Sequence, residues 1–207
     1  MTTVSAVSVC NMALGFMGQS ELLIDSLDES SNTARCCKVY YDQCRRSLLC
    51  EFPWRFAQVT EALPLLGESH PGYRLAYGYP SSCLRLLRII SGEFFSASDF
   101  DPGCVFKVAR ARSGGRCVLT DAGLAYAVYV YDVEDPTEFP PFFVDALAWR
   151  LAVELATVLT GTSSLQSRVQ LAQFYADSLS HAELLDAGEA MEAPVVRSGG
   201  FWGESTL

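Results

Sequence analysis

The sequence predicts an α+β fold: a mainly α-helical bundle of about four helices, a small antiparallel β region inserted into it, and an extended C-terminal tail. Three observations carry that expectation. Apolar residues repeat at helical spacing in two blocks near the start of the chain and in two more towards its end. Between them, from about Phe56 to Val133, short runs of branched and aromatic residues alternate with Gly, Pro and Asp. The stretch from Glu189 to Leu207 has no period at all. The expected units are residues 1–57 with 137–188 as a discontinuous helical part, 58–136 as a β-rich insertion, and 189–207 as a flexible tail.

Residues 4–17 are expected to form the first helix. Val7, Cys10, Leu14 and Met17 recur at spacings of 3, 4 and 3, and Ala6, Val9, Ala13 and Phe16 form a second stripe beside them. Two adjacent stripes imply burial over much of the circumference. Thr2, Thr3 or Ser5 is placed to cap its start, and Gly18 suits the left-handed residue that ends it. The polar connection Ile24 to Ser31 leads to a second helix, from Asn32 to Cys50. Its core stripe is Ala34, Cys37, Tyr41, Cys44 and Leu48. Arg35, Lys38, Asp42, Arg45 and Arg46 fall off that stripe, with Asp42 and Arg46 spaced for an i, i+4 ion pair. Pro53 stops the helix.

In the β region the expected strands are Cys83–Ile90, Cys104–Ala109, Arg116–Thr120 and Tyr126–Tyr131, with Ser113-Gly114-Gly115 as a hairpin turn. Gly72, Gly78, Pro80, Gly92 and Asp101-Pro102-Gly103 read as turns. Pro140-Pro141 fits the start of a third helix. Residues 142–160 are apolar nearly all round, broken by Asp145, Arg150 and Glu154, which marks a helix central to a core. Gly161 ends it. Thr162, Ser163 or Ser164 caps a fourth helix with the stripe Leu165, Val169, Ala172, Ala176 and Leu179, fading near Gly188.

Half of the 207 residues are hydrophobic and 19% are charged, as in an ordinary globule with a substantial core. The net charge of −9 is unevenly placed. Residues 1–116 hold 12 basic and 11 acidic side chains, whereas 117–207 hold 3 basic and 13 acidic. An acidic half repels phosphate, and no basic patch is read from the sequence, which argues against a protein that grips DNA. The imbalance suits solubility, or a surface past which DNA slides. No apolar run reaches the ~20 residues that span a bilayer. The start, Met1 to Ser5, lacks a basic n-region, so no secretory signal is expected and folding in a reducing cytoplasm is the default.

Eight cysteines then need a role: Cys10, Cys36, Cys37, Cys44, Cys50, Cys83, Cys104 and Cys117. None forms a C-x-x-C pair, and the two histidines, His70 and His181, lie far from most of them in sequence. That spacing argues against zinc. Reduced thiols on apolar stripes, behaving as small buried hydrophobes, are the expectation. Catalytic grammar is sparse: there is no G-x-S-x-G elbow, P-loop or H-E-x-x-H, and both histidines read as surface residues. No catalytic residue, cofactor or metal ligand is assigned. Carboxylate pairs of glycosidase type are long-range in a fold and stay open.

The N-terminal block carries a resemblance. Asn11, Ala13 and Leu14 precede Gly15 and Gly18, and Ile24 to Glu29 follows. Next come Ala34, Cys36, Tyr40-Tyr41-Asp42, Arg45-Arg46 and Phe52-Pro53-Trp54-Arg55-Phe56-Ala57. Tyr79-Pro80 with Cys83-Leu84-Arg85, the acidic step Tyr131 to Asp135, Ala146-Leu147-Ala148, Leu159-Thr160-Gly161, Tyr175 and Ala182 continue it. In the order and spacing of these pieces the chain resembles the head-to-tail adaptor family of short-tailed bacteriophages, called tail tubular protein A, from about Val7 to Gly188. The cysteine-rich second helix and the glycine-rich tail depart from that pattern.

The resemblance implies a structural virion protein and no enzyme. It implies a ring of about twelve copies under the portal protein, made through a heterologous interface. The ring would extend the DNA channel and present a platform for the tail nozzle or tube, with DNA passing without specific binding. No cofactor and no membrane are implied; assembly would take place in the host cytoplasm. Read from the residues, Trp54 is a core anchor and Asp25, Asp28 and Glu29 help start the second helix, an intersubunit role remaining open. Two other classes also remain open: a tail-associated cell-wall hydrolase, and a small DNA-packaging or DNA-binding module. Phe201 and Trp202, flanked by glycines, are the candidate partner-binding residues. They either dock in a partner's groove as aromatic anchors or fray with the tail.

Overall fold

Ser5 starts the first helix. Its hydroxyl accepts from the Ser8 N–H at 3.1 Å while the Ser8 hydroxyl accepts from the Ser5 N–H at 2.9 Å, a reciprocal cap that satisfies two donors at once. The computed structural model describes residues 3–68, 70–92, 104–160 and 165–188. Helix α1 (Ala6–Phe16) buries Val9, Cys10, Ala13 and Leu14, so both expected stripes are used. It gives way at Gly18, whose φ of 71° is the left-handed conformation that glycine adopts without strain. Asn11, on the flank of α1, clasps the backbone of Ile24 with two 2.9 Å hydrogen bonds and so fixes the return of the chain.

Helix α2 (Asn32–Glu51) is capped by the Ser31 hydroxyl. Its predicted stripe, Ala34, Cys37, Tyr41, Cys44 and Leu48, is buried throughout. Asp25, Asp28 and Glu29 stand before the cap and outside the first turn. Glu29 accepts from the Asp25 N–H, and Asp28 pairs with Lys38 at 2.7 Å. The predicted Asp42–Arg46 pair is not formed: Asp42 meets Arg45 and Arg46 reaches Asp132. At the far end, the Arg85 guanidinium donates to the carbonyls of Cys50 and Glu51, two acceptors that a helix end leaves without intrahelical partners.

Among the described residues seven strands follow: β1 (Gln58–Ala62), β2 (Leu65–Leu66), β3 (Leu75–Gly78), β4 (Cys83–Ser91), β5 (Phe106–Arg110), β6 (Arg116–Thr120) and β7 (Ala125–Tyr131). They form two antiparallel sheets, one ordered β1-β7-β4 and the other β2-β3-β6-β5. The β5–β6 turn is the predicted hairpin, with Gly114 and Gly115 at φ of 101° and 81°. Cys104 stands before β5 as an isolated bridge to Ile89, so the strand starts later than expected. Gly78 closes β3 and is no turn; a Cβ there would lie 3.0 Å from Pro64 Cγ, and that close approach accounts for the glycine. The Asp101-Pro102-Gly103 turn lies outside the described residues.

Strand β7 is a wall shared by two cores. Its Val130 packs with the helices, beside Val133, Trp54 and Leu48. Its Ala125, Ala127 and Tyr129 pack with Tyr77, Ile89 and Val118 against the second sheet. A sheet buried on both faces loses the polar alternation of a solvent-facing strand, which is why β7 reads as a continuous apolar run.

Helix α3 (Pro141–Leu159) begins at Pro141, whose missing N–H costs nothing at a first helical position. Phe143, Val144, Ala146, Leu147, Ala148, Leu151, Ala152, Leu155 and Ala156 are buried, and α3 packs on α1, α2 and α4 (Leu165–Gly188). The predicted stripe of α4 is displaced. Val169, Ala172 and Ala176 are exposed, while Ala182 and Asp186 are buried and Leu171, Tyr175, Ser178 and Leu179 are half-buried. Apolar residues ring α4, so polar contacts choose its rotation: Ser178 donates to Asp145 at 2.9 Å and the Tyr175 hydroxyl meets Arg150 at 2.7 Å. The expected stop at Gly161 and caps at Thr162, Ser163 or Ser164 lie outside the described residues. Among the described residues no helix is long and apolar enough to cross a membrane.

All eight cysteines are reduced thiols, and Cys10, Cys37, Cys44, Cys83 and Cys117 are buried. The hydrogen bond to Cys37 and burial push the Cys10 thiol up, and burial pushes Cys44 up to about 11. Such thiols stay protonated and unreactive at neutral pH. Labelling of the native protein with a thiol-specific disulfide reagent should therefore modify the half-buried Cys36, Cys50 and Cys104, and unfolding should expose all eight. Fewer than eight reactive thiols in the unfolded, unreduced chain would show a disulfide.

Candidate functional site

Three polar constellations join the helical part to the strands and to itself. The first centres on Arg45, which follows Tyr41 and precedes Leu48 on α2 and thus lies at the edge of the buried stripe. Its side chain is 3% exposed, although the residue falls off the predicted core stripe. The guanidinium donates to Asp132 at 2.6 Å, to the Val133 carbonyl, and to Asp42 at 3.4 Å. Arg46 holds the other oxygen of Asp132 at 3.2 Å. The acidic step after β7 is thereby strapped to α2.

The second constellation links three helices. Arg150 of α3 donates to Glu51, to the Tyr175 hydroxyl and, at 2.9 Å, to Ser47. Tyr175 of α4 donates in turn to Glu51, and burial followed by that carboxylate pushes its own ionisation upwards. The third closes the end of α4. The Asp186 carboxylate, 1% exposed, accepts from the Arg55 N–H at 3.0 Å, and the Arg55 side chain donates to the Asp186 carbonyl at 3.1 Å. Beside it runs an open groove of about 350 Å³, lined by Phe52, Pro53, Arg55, Leu87, Arg88 and Ala187 among others.

On the second sheet, Glu68 binds the hairpin turn. Its carboxylate accepts from the Arg112 N–H at 2.7 Å and the Ser113 N–H at 2.9 Å, and those two donors hold it below the usual carboxylate range. His70 stands 3.6 Å from Glu68 and is half-buried, which corrects its reading as a surface histidine; His181 is exposed as expected. Arg116 lies over the Tyr79 ring at 3.9 Å, and burial pushes the Tyr79 hydroxyl up to about 12. Arg110 sits directly opposite Arg116 in the strand register. The hairpin is a basic patch, contrary to the reading that the chain has none.

Four of the described carboxylates, Asp28, Glu29, Glu68 and Asp135, are held low by hydrogen bonds or by Lys38. A general acid for glycoside cleavage needs the opposite shift, so these four are not candidates for that role. Among the described residues no three His, Cys, Asp or Glu side chains gather as a metal site. Phe201 and Trp202, the candidate partner-binding residues, lie outside the described residues. No protein-family model and no curated protein matches the chain.

Proposed function

We propose that this chain is a structural head-to-tail adaptor of a short-tailed bacteriophage, of the tail tubular protein A kind. On this reading residues 1–57 and 137–188 form a helical bundle, 58–136 are its β insertion, and 189–207 are a tail for partners. About twelve copies would stand as a closed ring on the portal, prolonging the DNA channel and receiving the nozzle or tube. The subunit would reside in the virion at the head–tail junction.

One observation supports the reading most. The residues that carry the resemblance are also those that brace the subunit: Asn11 clasps Ile24, Arg45 and Arg46 strap Asp132, and Trp54 joins α2 to α3. A ring subunit under load from passing DNA needs such bracing more than it needs a pocket. Moderate, mixed surfaces pay a sizeable association cost, which a portal lowers by concentrating subunits. The isolated chain is therefore expected as a monomer or weak oligomer, and as a ring when portal is added, by light scattering and electron microscopy. Changing Phe201 and Trp202 together to Ala should leave the melting temperature unchanged and weaken attachment by about tenfold or more. A chain that binds no portal of its own phage ends the adaptor reading.

A further inference from the structure

We propose that the β5–β6 hairpin is a phosphate-contacting arm that binds the backbone of duplex nucleic acid without regard to sequence. Between Cys104 and Thr120 the chain places Lys107, Arg110, Arg112 and Arg116, and no Asp or Glu. All four are exposed, and none makes an ion pair among the described residues. Lys38, Arg45, Arg46 and Arg150, by contrast, each hold a carboxylate. Other cations without an ion pair among the described residues, Arg35, Arg74, Arg88 and Arg168 included, are spread along the sequence, whereas this arm gathers four within ten residues of a chain whose net charge is −9.

The geometry is that of a held arm. Arg110 and Arg116 are register partners, so their side chains share one face, an arrangement that costs stability when charges are alike. Arg116 is fixed over the Tyr79 ring, which leaves the edge of its guanidinium, where the donors are, free. Glu68 locks the turn through the Arg112 and Ser113 amides, and this one carboxylate is spent on backbone. Gly114 and Gly115 carry no side chain at the tip, so the turn itself can approach a phosphodiester closely. A duplex groove admits a two-stranded ribbon, and the arginine fork matches phosphate oxygens.

A protein partner fits less well. Protein hot spots are desolvated apolar or aromatic anchors. From Arg110 to Arg116 the hairpin offers arginines, serine and glycines, and its Ala111 is already buried. The proposal rests on the hairpin alone, so failure of the adaptor reading leaves it standing.

The test is fluorescence anisotropy of the full chain with a labelled random-sequence duplex of about 30 base pairs, titrated from about 20 to 200 mM salt. Binding should be weak and indifferent to sequence, with log K falling against log salt at a slope of about −2 to −3, as for roughly three phosphate contacts. Arg110→Gln, Arg112→Gln and Arg116→Gln together should weaken it by about tenfold or more. Arg110→Gln with Arg112→Gln, which spares the Arg116–Tyr79 contact, should weaken it severalfold and serves if the triple variant melts early. Arg35→Gln with Lys38→Gln should change nothing. No binding at the lowest salt, or equal binding by the hairpin variants, overturns the proposal. So does hairpin-dependent self-association in sedimentation without DNA binding, which would assign the arm to an acidic face of a second copy.

Discussion

Arg45→Ala should lower the free energy of unfolding by about 3–5 kcal/mol, the scale for removing one partner of a buried ion pair. The loss has two parts. Asp132, 16% exposed, keeps only Arg46, and the Val133 carbonyl loses its donor. The straps between α2 and the end of β7 then fail together, because one guanidinium serves both acceptors. Replacing both partners with apolar residues should be far milder, since the desolvation of two charges is removed along with their attraction. Urea unfolding of Arg45→Ala and of Arg45→Met combined with Asp132→Leu tests this. Equal destabilisation by the two would mean that packing volume, not charge, makes Arg45 matter.

Trp54→Ala should cost about 3–5 kcal/mol as well, through the cavity it leaves. The indole is fully buried, with ring centroids 5.1 Å from Phe52 and 5.3 Å from Phe143, and Phe56 and Phe142 stand within 6.4 Å. Its N–H donates to the Leu48 carbonyl at 2.8 Å, near the end of α2. Trp54→Phe keeps most of the ring packing and loses that donor, so about 1–2 kcal/mol is expected for it. Thermal and urea denaturation of the two variants would separate ring packing from the hydrogen bond. A Trp54→Ala variant as stable as the parent would remove Trp54 from the core it is assigned to.

The α2 stripe was legible because little besides a helix packed along one face produces a 3-4-3-4 spacing of apolar residues. Arg45 was not, although it stands four residues after Tyr41 and three before Leu48. A charge at a stripe's edge reads as solvated until its partner is known, and Asp132 is 87 residues away. The rotation of α4 escaped for a related reason: apolar residues surround it, and Tyr175 and Ser178 settle the matter through Arg150 and Asp145. Strands β1 and β2 were too exposed to stand out, and β3, though buried at Ala76 and Tyr77, was too short. The hairpin's basic residues were visible within ten positions, but averaging charge over residues 1–116 hid them among distant acids.

The central place of α3 bears on how the chain reaches this fold during synthesis. Helices α1 and α2 emerge early, yet the nine buried residues that cover them belong to α3, beyond the whole β insertion. At the ~5–20 residues per second of translation, their apolar faces wait on the order of ten seconds for a partner. During that interval the nascent chain exposes the very stripe that later forms its core, a state prone to aggregation and to capture by chaperones. Nucleation is correspondingly non-local, and folding should be slow for a protein with this much helix.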